Sequence, residues 1–156
     1  MSPPRVRPAA TGELGALARL VDGHPLFARY DLEPAALRRA LVAALDGGEA
    51  LLVAEIDGRP RGLAWWSPRG AFGRSPYLRL LVVAVDAVGR GAGSVLMDAF
   101  EAAAFAVAAD AFTLVTHDND DAQRFYRRRG FAEVGRLPDY VRPGITEVVL
   151  RKRRPA

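Results

Sequence analysis

Between Val83 and Met97 the chain reads Val-Ala-Val-Asp-Ala-Val-Gly-Arg-Gly-Ala-Gly-Ser-Val-Leu-Met, an apolar strand passing through a glycine-rich turn into a helix. Glycines let the backbone turn tightly and come close to a ligand. The first N–H groups of the helix have no partner inside it, and the helix dipole there favours negative charge. A strand and a helix must therefore pack side by side, and a diphosphate is the natural guest at their junction. The plain alternative is a tight strand–helix turn that binds nothing. Two phosphate loops are excluded. The dinucleotide fingerprint needs glycine or alanine where Ser94 stands, and Asp110 precedes the next strand instead of ending it. The nucleoside-triphosphate loop needs Gly-Lys-Ser/Thr, and this turn has no lysine.

A second segment, Asn119–Phe131, reads Asn-Asp-Asp-Ala-Gln-Arg-Phe-Tyr-Arg-Arg-Arg-Gly-Phe. It predicts a short helix capped by Asn119, carrying Tyr126 and stopped by Gly130. Read by itself, Tyr126 is either a core aromatic beside Phe125 or a proton donor.

Taken together, the two segments resemble the GCN5-related N-acetyltransferase (GNAT) superfamily. Val88-Gly89-Arg90-Gly91-Ala92-Gly93 occupies the slots of that family's Arg/Gln-x-x-Gly-x-Gly/Ala motif, with Val88 in place of the usual Arg or Gln. Asn119, Ala122, Phe125, Tyr126, Gly130 and Phe131 match its Asn-x-x-Ala-x-x-(Leu/Phe)-Tyr-x-x-x-Gly-Phe pattern. The separation of the motifs also fits, and the specific resemblance covers residues 77–131.

The resemblance implies that acetyl-CoA lies where two parallel strands splay apart. The strand backbone at Leu81, Val82 and Val83 would bind the pantetheine arm and polarise the thioester carbonyl. The amides of Gly89, Arg90, Gly91, Ala92, Gly93 and Ser94 would hold the pyrophosphate, with Arg90 offsetting the loss of a cation at Val88. Asn119 would touch the same cosubstrate. Tyr126 would stand near its sulfur and protonate the departing thiolate.

A general base is not assigned. Relatives often carry Glu or His on the strand that corresponds to Tyr77–Val85, and this strand has neither before Asp86. His24, Asp31, Glu33, His117 and Asp118 are the candidates from elsewhere. By analogy the acceptor would lie between the His24–Asp31 loop and the Leu137–Gly144 loop. Phe27, Tyr30, Asp31, Glu33 and Asp139 would suit an amine, whereas Arg29 and Arg142 would suit a carboxylate. Trp65 and Trp66 alternate across a strand, which predicts one in the core and one facing a helix or groove.

Composition narrows the remaining choices. The 156 residues suit a single domain spanning 1–156. Without cysteine there is no disulfide framework or thiolate, and His24 and His117 lack metal-ligand spacing, so no metal is expected. A net charge of +4 comes from scattered arginines and from clusters at Arg127–Arg129 and Arg151–Arg154. They suit a phosphorylated cosubstrate or a solvated surface. No recognition-helix pattern supports nucleic acid. The N-terminus lacks a signal-peptide core and no apolar run reaches the about 18 residues of a spanning helix, so a cytoplasmic protein without membrane attachment is expected.

Periodicity and breakers predict the order β-α-α-β-β-β-α-β-α-β-β. Thr11 is expected to cap a helix bearing Leu14, Leu17, Leu20 and Val21, with a loop after His24-Pro25 and a second helix from about Glu33-Pro34 to Asp46. A hairpin at Asp57-Gly58 joins strands 51–56 and 62–67. Tyr77–Val85 is expected to be buried on both faces. Alternation of this kind gives an α/β (α+β) fold with helices on both faces of a mixed sheet. The resemblance makes that sheet mostly antiparallel, about seven strands, with a splayed parallel pair. The reading is an acetyl-CoA-dependent N-acetyltransferase acting directly on a primary amine of a small molecule or peptide. A non-catalytic acyl-CoA sensor is the alternative, and a homodimer would cover the edges of an open sheet.

Overall fold

The structure, a computed structural model, describes residues 2–156. Strand β1 (Arg5–Pro8) is followed by helices α1 (Leu14–Ala18), α2 (Pro25–Arg29) and α3 (Pro34–Asp46). Then come β2 (Ala50–Ile56), β3 (Arg59–Ala71), β4 (Ser75–Val83), α4 (Ala92–Val107), β5 (Asp110–Thr116), α5 (Asp120–Arg128), β6 (Ala132–Pro138) and β7 (Thr146–Arg153). The seven strands form one sheet in the order β1-β2-β3-β4-β5-β7-β6. Among the described residues only the central β4–β5 pair is parallel. The expected mixed sheet with helices on both faces is the observed architecture.

Local chemistry explains most of the elements. Asp57 and Gly58 both take positive φ, 51° and 76°, the geometry that folds β2 tightly back onto β3. Pro34 begins α3, where its missing N–H costs nothing, and Leu37, Leu41 and Ala44 recur on its buried face. On the other side of the sheet α4 buries Leu96, Met97, Phe100 and Ala104. Gly62 makes room for this helix, since a Cβ there would stand 3.0 Å from Leu96 Cδ1. Trp66 meets Phe100 edge to face at 5.2 Å, while Trp65 borders a cavity on the opposite side. Alternation along β3 thus divides the two tryptophans as the sequence predicts.

Three expectations change. Thr11 does not cap the first helix. It lies inside a 3₁₀ turn (Thr11–Glu13), and Glu13 accepts the Ala10 N–H at 2.6 Å while Arg7 ties Glu13 to Glu55. The segment after His24 is the short helix α2, because Pro25 starts a helix as readily as it stops one. β4 runs from Ser75 to Val83 and is not buried on both faces, for Arg79 is exposed.

The α4 face is pinned by a buried carboxylate. Glu101, 8% exposed, accepts Arg129 Nε–H at 2.7 Å and also pairs with Lys152. Arg129 reaches Asp98 as well, so α4, the end of α5 and β7 are tied together.

Phe100 is fully buried against Trp66. Phe100→Ala is expected to lower the unfolding free energy by about 3–5 kcal/mol, read as a lower urea midpoint at unchanged slope.

Candidate functional site

The site begins where the sheet fails to close. β4 and β5 pair only at Tyr77 with Phe112 and Leu78 with Thr113, and beyond these residues the strands part. Thr113 Oγ1 donates to the Leu78 carbonyl at 3.1 Å, a side-chain bond at the point where backbone pairing stops. The far edge of β4 is left for another partner. Ala84 N–H donates to the Arg61 carbonyl of β3 at 2.8 Å, so by alternation Val82 also turns its polar groups to β3 while Leu81 and Val83 turn theirs to the opening. Of the three expected strand residues, Val82 instead contributes a buried side chain to the core.

The glycine-rich turn closes one end of this opening. Gly89 and Gly91 have φ of 84° and 89°, conformations that suit glycine. Val95 N–H makes the first helical bond, to Gly91 O at 3.1 Å. Among the described residues the N–H groups of Gly91, Ala92, Gly93 and Ser94 have no acceptor, and no side chain caps α4. Arg90 reaches Asp57 at 3.3 Å, but its buried Nε has no partner. This donor-rich cradle fits a diphosphate, and the open strand edge fits an extended amide-bearing arm. Both are demands that coenzyme A makes.

Helix α5 packs beside the turn, with Phe125 against the bare Cα of Gly93. Asn119 accepts the Ala122 N–H at 3.2 Å and caps the helix as predicted. Gly130, at φ 96°, ends it. Tyr126 is 7% exposed between Phe125 and Phe131, both edge-on at 5.4 and 5.6 Å. Burial pushes its phenol well above the ordinary tyrosine range, and the neighbouring Thr113 hydroxyl offsets part of the rise. It is both a core aromatic and a cavity group, so the two readings of this residue do not compete.

Tyr126 borders a cavity of about 450 Å³ that reaches from α5 through the strand gap to α2 and α3. The two expected acceptor loops meet over it. Arg142 bonds Asp31 at 3.0 Å and the Tyr30 carbonyl at 3.0 Å, and Arg29 bonds Asp118 at 2.9 Å. These arginines serve the closure of the loops and are not waiting for a carboxylate. Among the candidate bases, Asp31 and Asp118 are engaged in the same pairs. His24 donates through Nε2 to the Val83 carbonyl at 2.6 Å, so that nitrogen is not a proton acceptor. His117 and Glu33 are exposed.

The acidic group that does face the cavity is Glu147 of β7, 4% exposed and bonded to Tyr30. Its place in Thr146-Glu-Val-Val-Leu gave a faint signal, an acidic residue in an apolar strand. Sequence could not say which neighbour β7 would take. Among the described residues no group of three or more His, Cys, Asp or Glu side chains is arranged around a metal, and no helix is long and apolar enough to cross a membrane.

A family model described as "Acetyltransferase (GNAT) family" matches residues 17–131. No curated protein matches the chain in sequence. Among solved structures, Ard1 from Thermoplasma volcanium has a TM-score of 0.81 at 20% identity, covering 99% of this chain and 100% of the other. The ribosomal-protein-alanine N-acetyltransferase from Brucella melitensis has a TM-score of 0.75 at 22% identity, covering 96% and 99%. A GNAT-family acetyltransferase from Bacillus cereus has a TM-score of 0.77 at 16% identity, covering 99% and 100%. At these identities the likeness is one of fold.

Around Gly91 there is room for a methyl group, the nearest atom being Pro4 Cγ at 3.9 Å, so only its φ opposes a side chain. Gly91→Ala is expected to cost about 1–2 kcal/mol in thermal or urea unfolding, and Gly91→Asn, which tolerates this region better, less.

Proposed function

The chain belongs to the acetyltransferase (GNAT) family, and from that premise we propose that it moves an acetyl group from acetyl-CoA directly to a primary amine of a small molecule or peptide. The whole chain is read as one acetyltransferase domain. The observation that carries the reading is the unpaired β4 edge with the glycine cradle at one end and Tyr126 within the same opening.

Acetyl-CoA supplies an activated acyl group as a thioester. Leu81 offers its strand amide and carbonyl and Val83 its amide to the pantetheine arm, the Val83 carbonyl being held by His24, and the free amides of Gly91, Ala92, Gly93 and Ser94 meet its pyrophosphate. Gly89 shapes the approach. Arg90 adds positive charge on the side where Val88 withholds it, and Val82 supports the strand from within the core. Asn119 holds the start of α5 at the rim of the cleft. These roles rest mainly on backbone, so the departure at Val88 does not remove them.

Tyr126 gives its proton to the sulfur as the C–S bond breaks. A thiolate has an ordinary pKa of about 8.5, so a phenol is a weak but sufficient donor once it lies next to the leaving group in a dry site. Burial keeps that phenol protonated at and above its ordinary value of about 10, so it stays loaded across the pH range in which amines become neutral.

Acetyl-CoA and CoA are each expected to raise the melting temperature, by mass action on the folded state. Tyr126→Phe is expected to keep that shift and to lose at least about 100-fold in kcat for an amine acceptor, with the KM for acetyl-CoA little changed. Unchanged turnover in this variant would remove the tyrosine from the chemistry. Cofactor stabilisation with no transfer to any amine by the unaltered protein would favour the acyl-CoA sensor.

A further inference from the structure

The acceptor side of the cavity holds a carboxylate that neither the glycine turn nor the tyrosine helix explains. Glu147 lies opposite Thr116 in the β5–β7 ladder and is almost wholly buried. A buried carboxylate pays a desolvation cost of several kcal/mol unless a cation or several donors compensate it. No cation among the described residues pairs directly with Glu147, although Arg29 is near enough to feel its charge. Among the described residues its hydrogen-bond donor is the Tyr30 hydroxyl, 2.5 Å from Oε2, and that hydroxyl also lies 2.6 Å from Thr116 Oγ1. Burial first, and then the bond to Glu147, push the Tyr30 phenol up to about 12, so it remains a donor.

Nearby cations are committed elsewhere. Arg29 is bonded to Asp118 and Arg142 to Asp31, while Arg79 lies 4.9 Å from the Trp65 ring centroid. The cavity around the carboxylate is largely apolar, with Phe27, Leu26, Leu114 and Val141 in its wall, while Arg79 and Asn119 add polar groups to it. A buried carboxylate with no directly paired cation, open to a largely apolar cavity, is a receptor for a cation on an apolar body.

Its position relative to Tyr126 matters as much. Thr113 and Thr116 are three residues apart on β5 and so project to opposite faces. Tyr126 stands beside Thr113 and Glu147 beside Thr116, one on each side of the strand gap, and the cavity runs through that gap. Tyr77 lies between them and is near enough for its phenol to feel Glu147, though burial is the larger cause of its raised pKa.

Resting on the acetyl-transfer reading, we infer that Glu147 receives the acceptor as a primary ammonium and takes its proton when the amine attacks the thioester. The nitrogen loses two protons in all. The first passes to the Glu147 carboxylate and on to water, which frees the lone pair that forms the C–N bond. The C–S bond breaks with its electrons on sulfur, which takes the Tyr126 proton, and the second nitrogen proton restores the phenol. The acceptor is a primary amine on an apolar body, with no carboxylate next to the amine, because that carboxylate would face Glu147.

The test uses the full chain with acetyl-CoA and three probes: phenethylamine, phenylalaninamide and phenylalanine. The unaltered protein is expected to acetylate the first two at least tenfold better, in kcat/KM, than phenylalanine. Glu147→Gln is expected to lose about 100-fold in kcat/KM for those amines while its thermal shift with CoA stays unchanged. If that variant does not fold, Glu147→Asp replaces it, and its kcat is expected to fall more than tenfold. Activity of the variant within threefold of the unaltered protein overturns the role of Glu147, as does a preference for phenylalanine. Absence of both CoA binding and transfer in the unaltered protein instead defeats the acetyl-transfer reading itself.

Discussion

Two backbone pairs, Tyr77 with Phe112 and Leu78 with Thr113, hold the middle of the sheet together before β4 and β5 part. Everything at the site depends on this short parallel contact. Were pairing to continue, the polar groups of Leu81 and Val83 would be spent on β5 and the cavity would be filled by sheet. Were it absent, the two halves of the sheet would share no continuous core. The Thr113 hydroxyl marks the compromise, bridging to Leu78 where the ladder ends. An unsatisfied edge is normally a liability, and here it lies in the middle of the sheet, between β4 and β5, instead of at its rim.

The opening divides the labour between the faces. On the α4–α5 side lie the uncapped helix start, the two left-handed glycines and Tyr126, a donor-rich face suited to an anionic ligand. On the α1–α3 side lie Tyr30, Thr116 and Glu147, suited to a cation. The loops that close the second side are joined by Arg142 and Asp31, an exposed pair of small energetic weight whose value is positional. The first side is held more firmly, because Glu101 is buried and answered by both Arg129 and Lys152.

How far the sequence foretold this varies with the range of the interactions. Glycine spacing, the Asn119 cap and the Asp57-Gly58 hairpin depend on neighbours in the chain, and each forms as read. The sheet architecture was legible because the motifs and the alternation of elements agree. Most of what escaped was set by distant contacts. Thr11 is the local exception: the turn starts one residue earlier, with Glu13 holding the Ala10 N–H, and only the Arg7 link to Glu55 that fixes Glu13 is long-range. Arg29 and Arg142 read as free cations until the fold supplied Asp118 and Asp31. Glu147 stayed hidden since its burial follows from β7 lying beside β5, a pairing that no local pattern encodes. Val82 looks equivalent to Leu81 and Val83 in sequence because the side to which a strand turns its amides depends on its partner's register.

That same placement of β7 has a consequence for how the molecule is made. β7 is the last strand in sequence but lies between β5 and β6 in the sheet. As the chain emerges from a ribosome, β1 to β4 can zip into a meander, yet the strand beside the cleft has no neighbour on its outer edge until residues 146–153 appear. β6 must wait as well, for it pairs with nothing else. Lys152, the second cation on Glu101, arrives in the same stretch. The half of the sheet that forms the far wall of the cleft is thus completed in a single late insertion, and a nascent chain does not hold both walls of the cleft before that sheet is finished.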